Sequence, residues 1–329
     1  MKFGIIGYGR MGKTYHDVLK TMNIDVGFIC DTDKNNNIET ISDYKEALNI
    51  PNIDGVIIST YGPSHYKIMK YAINKKIKNI ICEKPFTTSV KHADEIIKLV
   101  EKNNLRLTVS YLRRFSDVYS SLIKEIHNDK KIGIPKSIII TCGAGGISTL
   151  GTHFLDLCTY LLDEKVNSVM AFSINKNLPN PRGEIFEDPG GYLILNFENE
   201  KRAFIDMGDD LGLQPKIEII GNYGRIEINE ITKKIIGKAR KKEDREKPMR
   251  LYGLENQEFI NKSFNFESIN ELIKKMVENI ISKEKLTVTA NLAKDKVEIY
   301  SAIRKSFDTG KVVSLPLDSD YTDREYMIT

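Results

Sequence analysis

No apolar run in this sequence approaches the roughly 18 residues that a membrane-spanning helix needs. The opening stretch Met1-Lys2-Phe3-Gly4-Ile5-Ile6-Gly7 is too short, and too interrupted by glycine, for a signal peptide. A cytoplasmic protein with no membrane partner is the expectation. Cysteine is scarce: Cys30, Cys82, Cys142 and Cys158 are the four, and no two form a C-x-x-C pair. That spacing argues against a zinc knuckle or a thioredoxin-like site, and small buried hydrophobes are the simpler reading. Charge of one sign is also lacking. The net charge of +4 is too small to imply a nucleic-acid partner. No repeat of about 20–50 residues is visible, which disfavours solenoids and propellers.

What is present is an ordinary globular composition, with 41% hydrophobic and 29% charged residues. The 329 residues, at roughly 150 per domain, predict two domains. The basic charge is local. Lys233, Lys234, Lys238, Arg240, Lys241, Lys242, Arg245, Lys247 and Arg250 face only Glu243, Asp244 and Glu246. A solvated hairpin explains this; an anionic substrate or partner is the sharper alternative.

Up to about residue 115, strand-like runs alternate with amphipathic helices. The runs are Lys2–Gly7, Asp25–Asp31, Ile53–Tyr61, Asn79–Glu83 and Leu105–Leu112. Val56-Ile57-Ile58 and Ile80-Ile81-Cys82 are continuously apolar, as strands buried on both faces require. The alternation predicts an α/β fold: a doubly wound parallel sheet over residues 1–115. Residues 116–329 read differently. Helical stretches at Phe115–Asp129 and Thr152–Leu162 precede a series of strands from Asn167 to Ile236, and helices at Ser268–Ser282 and Asn291–Phe307 end the chain. This predicts an α+β domain with a large, mostly antiparallel sheet.

Gly7-Tyr8-Gly9-Arg10-Met11-Gly12 follows the first strand and opens the first helix. In that context Gly7 permits a tight turn, Gly9 lets a pyrophosphate approach the backbone, and Gly12 lets helix pack on strand. The helix start offers unpaired N–H groups and a positive dipole end. Asp31 ends the second strand, where a carboxylate binds ribose hydroxyls and repels a 2′-phosphate. The cofactor expected is NAD rather than NADP, although Lys34 lies close by. Ser59, Thr60, Tyr61 and His65 follow the third strand, and Glu83-Lys84-Pro85 follows the fourth. Ligands of open α/β sheets sit at these carboxyl ends.

Taken with Arg113-Arg114-Phe115 and Gly151-Thr152-His153-Phe154-Leu155-Asp156, these segments make the chain resemble the Gfo/Idh/MocA oxidoreductase family over essentially its whole length. The resemblance implies a Rossmann domain followed by a substrate-binding and oligomerisation domain, and a homodimer or homotetramer. It implies NAD(P)-dependent redox chemistry on a sugar, amino sugar, inositol or nucleotide sugar. It also implies that Lys84 points into the cleft and that Lys84–Pro85 is a cis peptide. Two positions depart from the family pattern. Thr149 stands where many members have an aspartate, and Leu112 where others have an asparagine.

Hydride transfer at a carbinol needs a base for the hydroxyl proton and positive charge beside the developing oxyanion. His153 is the candidate acid/base, Lys84 the electrostatic and proton-relay group, and Thr149 a residue orienting one of them. Tyr111 and Asp156 are candidates for substrate contact, with pairing to a lysine the alternative for Asp156. Of the two arginines, read as a strand pair, Arg113 is taken to face the cofactor. No metal site is expected. The rival reading, kept open by Thr149, is a catalytically silent dinucleotide-binding regulator or scaffold.

Overall fold

The computed structural model describes the chain apart from residues 34–37, 144, 175–179, 181, 209, 213–214, 249–255, 283 and 329. Lys34 and Arg250 therefore lie outside the described residues. The N-terminal sheet holds β1 (Lys2–Ile6), β2 (Asp25–Cys30), β3 (Gly55–Ile58), β4 (Asn79–Cys82) and β5 (Arg106–Val109), all parallel, in the order β2-β1-β3-β4-β5. Helices α1 (Arg10–Thr21), α2 (Tyr44–Ala47), α3 (Gly62–Asn74) and α4 (Val90–Lys102) connect them. The chain leaves β1 toward β2 but leaves β3 in the opposite direction. Right-handed crossovers then put α1 and α3 on opposite faces. The switch point lies between β1 and β3, where the loops after them diverge and open a crevice.

The helix α5 (Asp117–Ile123) leads to a nine-stranded sheet. Its strands are β6 (Pro135–Thr141), β7 (Val166–Ile174), β8 (Gly190–Phe197), β9 (Arg202–Met207), β10 (Lys216–Gly221), β11 (Gly224–Asn229), β12 (Lys234–Arg240), β13 (Asn256–Ser263) and β14 (Val313–Ser314). The order is β13-β12-β11-β10-β6-β9-β8-β7-β14, antiparallel except for the β6–β9 pair. Helix α6 (Thr152–Leu162) lies on β6, and α8 (Ala290–Thr309) crosses β7. Side chains alternate across the sheet. Ile217, Ile219, Ile226, Ile228 and Leu195 are buried beneath it, while Phe172, Tyr192 and Phe204 are exposed on its outer face. Phe172 and Tyr192 are cross-strand partners with stacked rings, 5.0 Å between centroids.

Four features differ from the sequence reading. Leu112–Phe115 is a 3-10 turn, so Arg113 and Arg114 do not alternate along a strand. A π-helical turn, Ile147–Gly151, precedes α6. The last strand expected before the C-terminal helices continues to Arg240, and β13 follows it. Helix α7 (Ile269–Ile281) returns to the first core: Ile273, Met276, Val277 and Ile280 pack with α1 and β5 residues.

Candidate active site

The glycine turn is shaped by backbone contacts. Gly7 has φ +90° and lies against Ser59, whose hydroxyl donates to the Gly7 carbonyl at 2.7 Å. A Cβ on Gly12 would overlap the Gly7 carbonyl. A Cβ on Gly9 would meet nothing within 4 Å, so the space above the turn is open. Helix α1 begins there without a side-chain cap and with no acidic residue in its first turn. Its first N–H groups are therefore available to an anion. Asp31 sits beside the turn: its carboxylate accepts from the Tyr8 N–H and, at 2.8 Å, from the Asp33 N–H. These features fit the phosphate and ribose ends of a dinucleotide. Tyr8 itself is packed inward, its hydroxyl 2.6 Å from His16 Nδ1. Met11 is half-buried against the first core.

Lys84 lies past the end of β4 in the crevice, before a cis bond to Pro85. Its ammonium donates to the Thr149 carbonyl at 2.7 Å, which ties the two domains together. Burial pulls its pKa down to about 8; Arg182 and Arg10 act in the same direction, while Glu83 and Asp188 oppose it. Arg10 belongs to the glycine turn and Asp188 to the second domain, so Lys84 stands between cofactor cradle and substrate side. His153, in the first turn of α6, is held well below the ordinary histidine pKa by burial and by the charges of Lys84 and Arg113. Its ring lies edge-on to Tyr111, 6.3 Å between centroids. Among the described residues no hydrogen bond engages either ring nitrogen, and the residue is half-buried. A neutral imidazole and a lysine with depressed basicity thus lie close enough for the charge of the lysine to act on the ring.

Several other residues named from sequence are placed differently. His65 is fully buried, with Nδ1 2.7 Å from the Pro85 carbonyl and Nε2 3.0 Å from the Thr60 carbonyl. It braces the loops after β3 and β4 and does not present its ring to the crevice. Glu83 is buried beneath Lys84 and accepts from the Tyr15 hydroxyl at 2.7 Å. Arg113 is bound in a fork by Glu230 at 2.8 and 2.7 Å. Its charge reaches His153, but its Nε and Nη2 donors are taken up by the second domain. Asp156 is buried, with Arg114 Nε at 2.9 Å and Lys296 Nζ at 3.7 Å. Asp156 is thus paired with Arg114 and, at longer range, with Lys296. The Tyr111 hydroxyl is likewise buried, 3.2 Å from Thr152 Oγ1. Tyr61 is exposed and packs on Phe186, and Thr60 bonds Ser64 at 2.6 Å. The basic segment lies on β12 and the turn after it, where Arg245 stacks on Tyr223 and donates to the Lys131 carbonyl.

Sequence reasoning missed Tyr15, Glu230 and Asp188. The Asp188 carboxylate accepts from the Ser148 and Thr149 N–H groups at 2.6 and 2.9 Å. Nothing local marks it; it stands in a turn-rich stretch distant in sequence from the residues it meets.

Comparison with known proteins agrees with this arrangement. Residues 1–111 match the family described as "Oxidoreductase family, NAD-binding Rossmann fold", and residues 141–315 match its "C-terminal alpha/beta domain". The chain belongs to the Gfo/Idh/MocA oxidoreductase family. Among relatives of this family it is 30% identical to the uncharacterized oxidoreductase YrbE of Bacillus subtilis over 247 residues, covering 67% of this chain and 71% of that one. It is 23% identical to a myo-inositol 2-dehydrogenase of Thermotoga maritima over 340 residues, covering 96% and 98%. A crystal structure of an NAD binding oxidoreductase from Klebsiella pneumoniae shares the fold at TM-score 0.78 and 17% identity, covering 97% of this chain and all of that one. As a Gfo/Idh/MocA protein the chain is an NAD-binding oxidoreductase, with residues 1–111 its NAD-binding Rossmann domain.

Proposed function

We propose that this enzyme interconverts a carbinol and a carbonyl on a small polyhydroxylated substrate, a sugar, amino sugar, inositol or nucleotide sugar. In this reading His153 is the acid/base and Lys84 the cation beside the reacting oxygen. Bound NAD supplies the hydride acceptor or donor. The observation that carries the reading is the meeting of an unbonded, neutral His153 with Lys84 in the crevice that continues from the glycine turn. A neutral imidazole can take the substrate hydroxyl proton. The Lys84 ammonium stabilises the alkoxide as it forms and is held in place by the Thr149 carbonyl. The name of the Thermotoga relative supports a polyol-sized substrate.

The Asp31 oxygens keep lone pairs beyond those given to Tyr8 and Asp33, enough to accept from ribose hydroxyls. Its charge at that point supports NAD over NADP. The exposed aromatic face of the large sheet supports association with a second copy of the chain.

The test is absorbance at 340 nm with NAD and a panel of inositols, sugars, amino sugars and nucleotide sugars. NADH formation with at least one member is expected. Tight NADH binding with no turnover across the panel, in either direction, would favour the silent dinucleotide-binding reading.

A further inference from the structure

Lys84 faces a backbone carbonyl where a carboxylate would hold an ammonium more strongly. Position 149 provides no charge, yet a carboxylate has been brought to the same turn from another part of the chain. Asp188 spans the Ser148 and Thr149 N–H groups with its two oxygens, at 2.6 and 2.9 Å. The Thr149 carbonyl, on the other side of that residue, accepts from Lys84 at 2.7 Å. The fit leaves no slack: a Cβ on Gly146 would overlap the Asp188 carboxylate. The segment carrying Asp188 is itself anchored. The Ile147 N–H donates to the Pro189 carbonyl at 3.2 Å, and the Glu187 N–H to the Met327 carbonyl at 2.7 Å. The Glu187 carboxylate accepts from Arg304 at 2.7 Å.

We infer that Asp188 is the positioning carboxylate for Lys84: it holds the π-helical turn whose carbonyl binds the ammonium and brings a negative charge from the second domain to that turn. This rests on the reading that places Lys84 in the chemistry. Asp188 is a positioning residue, since it acts on Lys84 and through the Thr149 peptide. The other charges bearing on Lys84 are Glu83, covalently next to it, and the cations Arg182 and Arg10; His153 lies across the crevice. Among the described residues, Glu83 and Asp188 are the main anions set against Arg182 and Arg10, and Asp188 is the one of that pair from the second domain.

The experiment is Asp188→Asn, with Lys84 followed directly. In protein labelled with ¹³C at lysine Cε, the Lys84 signal is assigned by its loss in Lys84→Met, and its pH titration is read by NMR. An asparagine at 188 keeps one acceptor and removes the charge. The Lys84 midpoint should fall by about half a pH unit or more, as expected on losing a nearby opposite charge. Asp188→Glu should restore it at least partly, and NADH affinity should stay within about two-fold of the parent. The alkaline limb of the kcat/KM profile should move down with the midpoint. A midpoint that does not move in folded Asp188→Asn overturns the inference, because a purely structural cap would cost thermal stability and leave the titration in place. If Asp188→Asn does not fold, Gly146→Ala, which displaces the carboxylate without removing it, must lower the midpoint in the same way. The NMR readout needs no substrate. Absence of turnover in the wild type would therefore count against the proposed function alone, and the titration would still decide the role of Asp188.

Discussion

At the scale of single residues, the site depends on two bases made weak by different means. Lys84 is weakened mainly by burial, with two arginines adding to the effect and two carboxylates resisting it. His153 is weakened by burial and by the positive charges of Lys84 and Arg113. Each effect has a sign that kinetics can read. Alcohol oxidation by the proposed route needs neutral His153, which is present from well below pH 6.5 upward. It also needs the Lys84 cation, which is lost as pH rises through about 8. We therefore expect kcat/KM for oxidation to be level through neutrality and to fall above pH 8. In Lys84→Arg the cation cannot titrate in this range, so the alkaline limb should vanish even where the rate is lower. Persistence of the limb at the same pH in that variant would assign it to another group. Lys84→Ala should abolish measurable turnover, and His153→Ala should slow it by about 10²- to 10⁴-fold. Both should bind NADH, followed by its fluorescence, as the parent does.

At the scale of elements, the glycine turn separates folding from binding. Gly12→Ala drives a methyl into the Gly7 carbonyl between α1 and β1, an overpacking that costs about 1–3 kcal/mol. It should lower Tm. Gly9→Ala meets open space at an ordinary φ and should leave Tm within about 2 °C, since nothing in the fold is displaced. The methyl instead occupies the approach to the helix start, so NADH affinity should fall about ten-fold or more by titration calorimetry. Equal losses of stability in both variants would show that Gly9 serves only the fold. This turn was legible in sequence because strand, glycines and helix are contiguous. So were the central strands β3 and β4, which are buried on both faces and carry the apolar runs Val56-Ile57-Ile58 and Ile80-Ile81-Cys82. The 3-10 turn at Leu112–Phe115 and the π turn at Ile147–Gly151 left no such trace. Both are set by long-range pairing, of Arg113 with Glu230 and of Asp188 with residues 148 and 149.

At the scale of the whole molecule, the two domains are joined by more than the linker between them. Lys84 reaches across to Thr149, α7 packs in the first core, and the tail returns to the crevice. There the Tyr326 N–H donates to the Thr88 carbonyl at 3.1 Å, and Ile328 is buried. These contacts link residues from 65 to more than 200 positions apart, so single-residue patterns do not disclose them. The residues that face the crevice, Lys84 and His153, were visible because their neighbours form recognisable segments. Thr149, whose carbonyl binds Lys84, was named with them; Asp188, which holds that turn, and Glu230, which holds Arg113, were not.

One surface exposes a row of aromatic side chains. On the outer face of the large sheet, Phe172, Tyr192 and Phe204 expose 40%, 46% and 39% of their area in adjacent strands β7, β8 and β9. A flat aromatic patch on a wide sheet is costly to leave in water and suits a second copy of the same face, since a two-fold contact makes it self-complementary. We expect the protein to scatter light as a dimer or larger assembly of its 37.5 kDa chain. Phe172→Glu combined with Phe204→Glu places like charges on both sides of such a contact. The double variant should elute and scatter as a single chain, and its far-UV circular dichroism should be unchanged because neither side chain belongs to the core. A parent protein that is already monomeric at about 100 µM, or a double variant that keeps the parent's mass, would remove this face from any role in assembly.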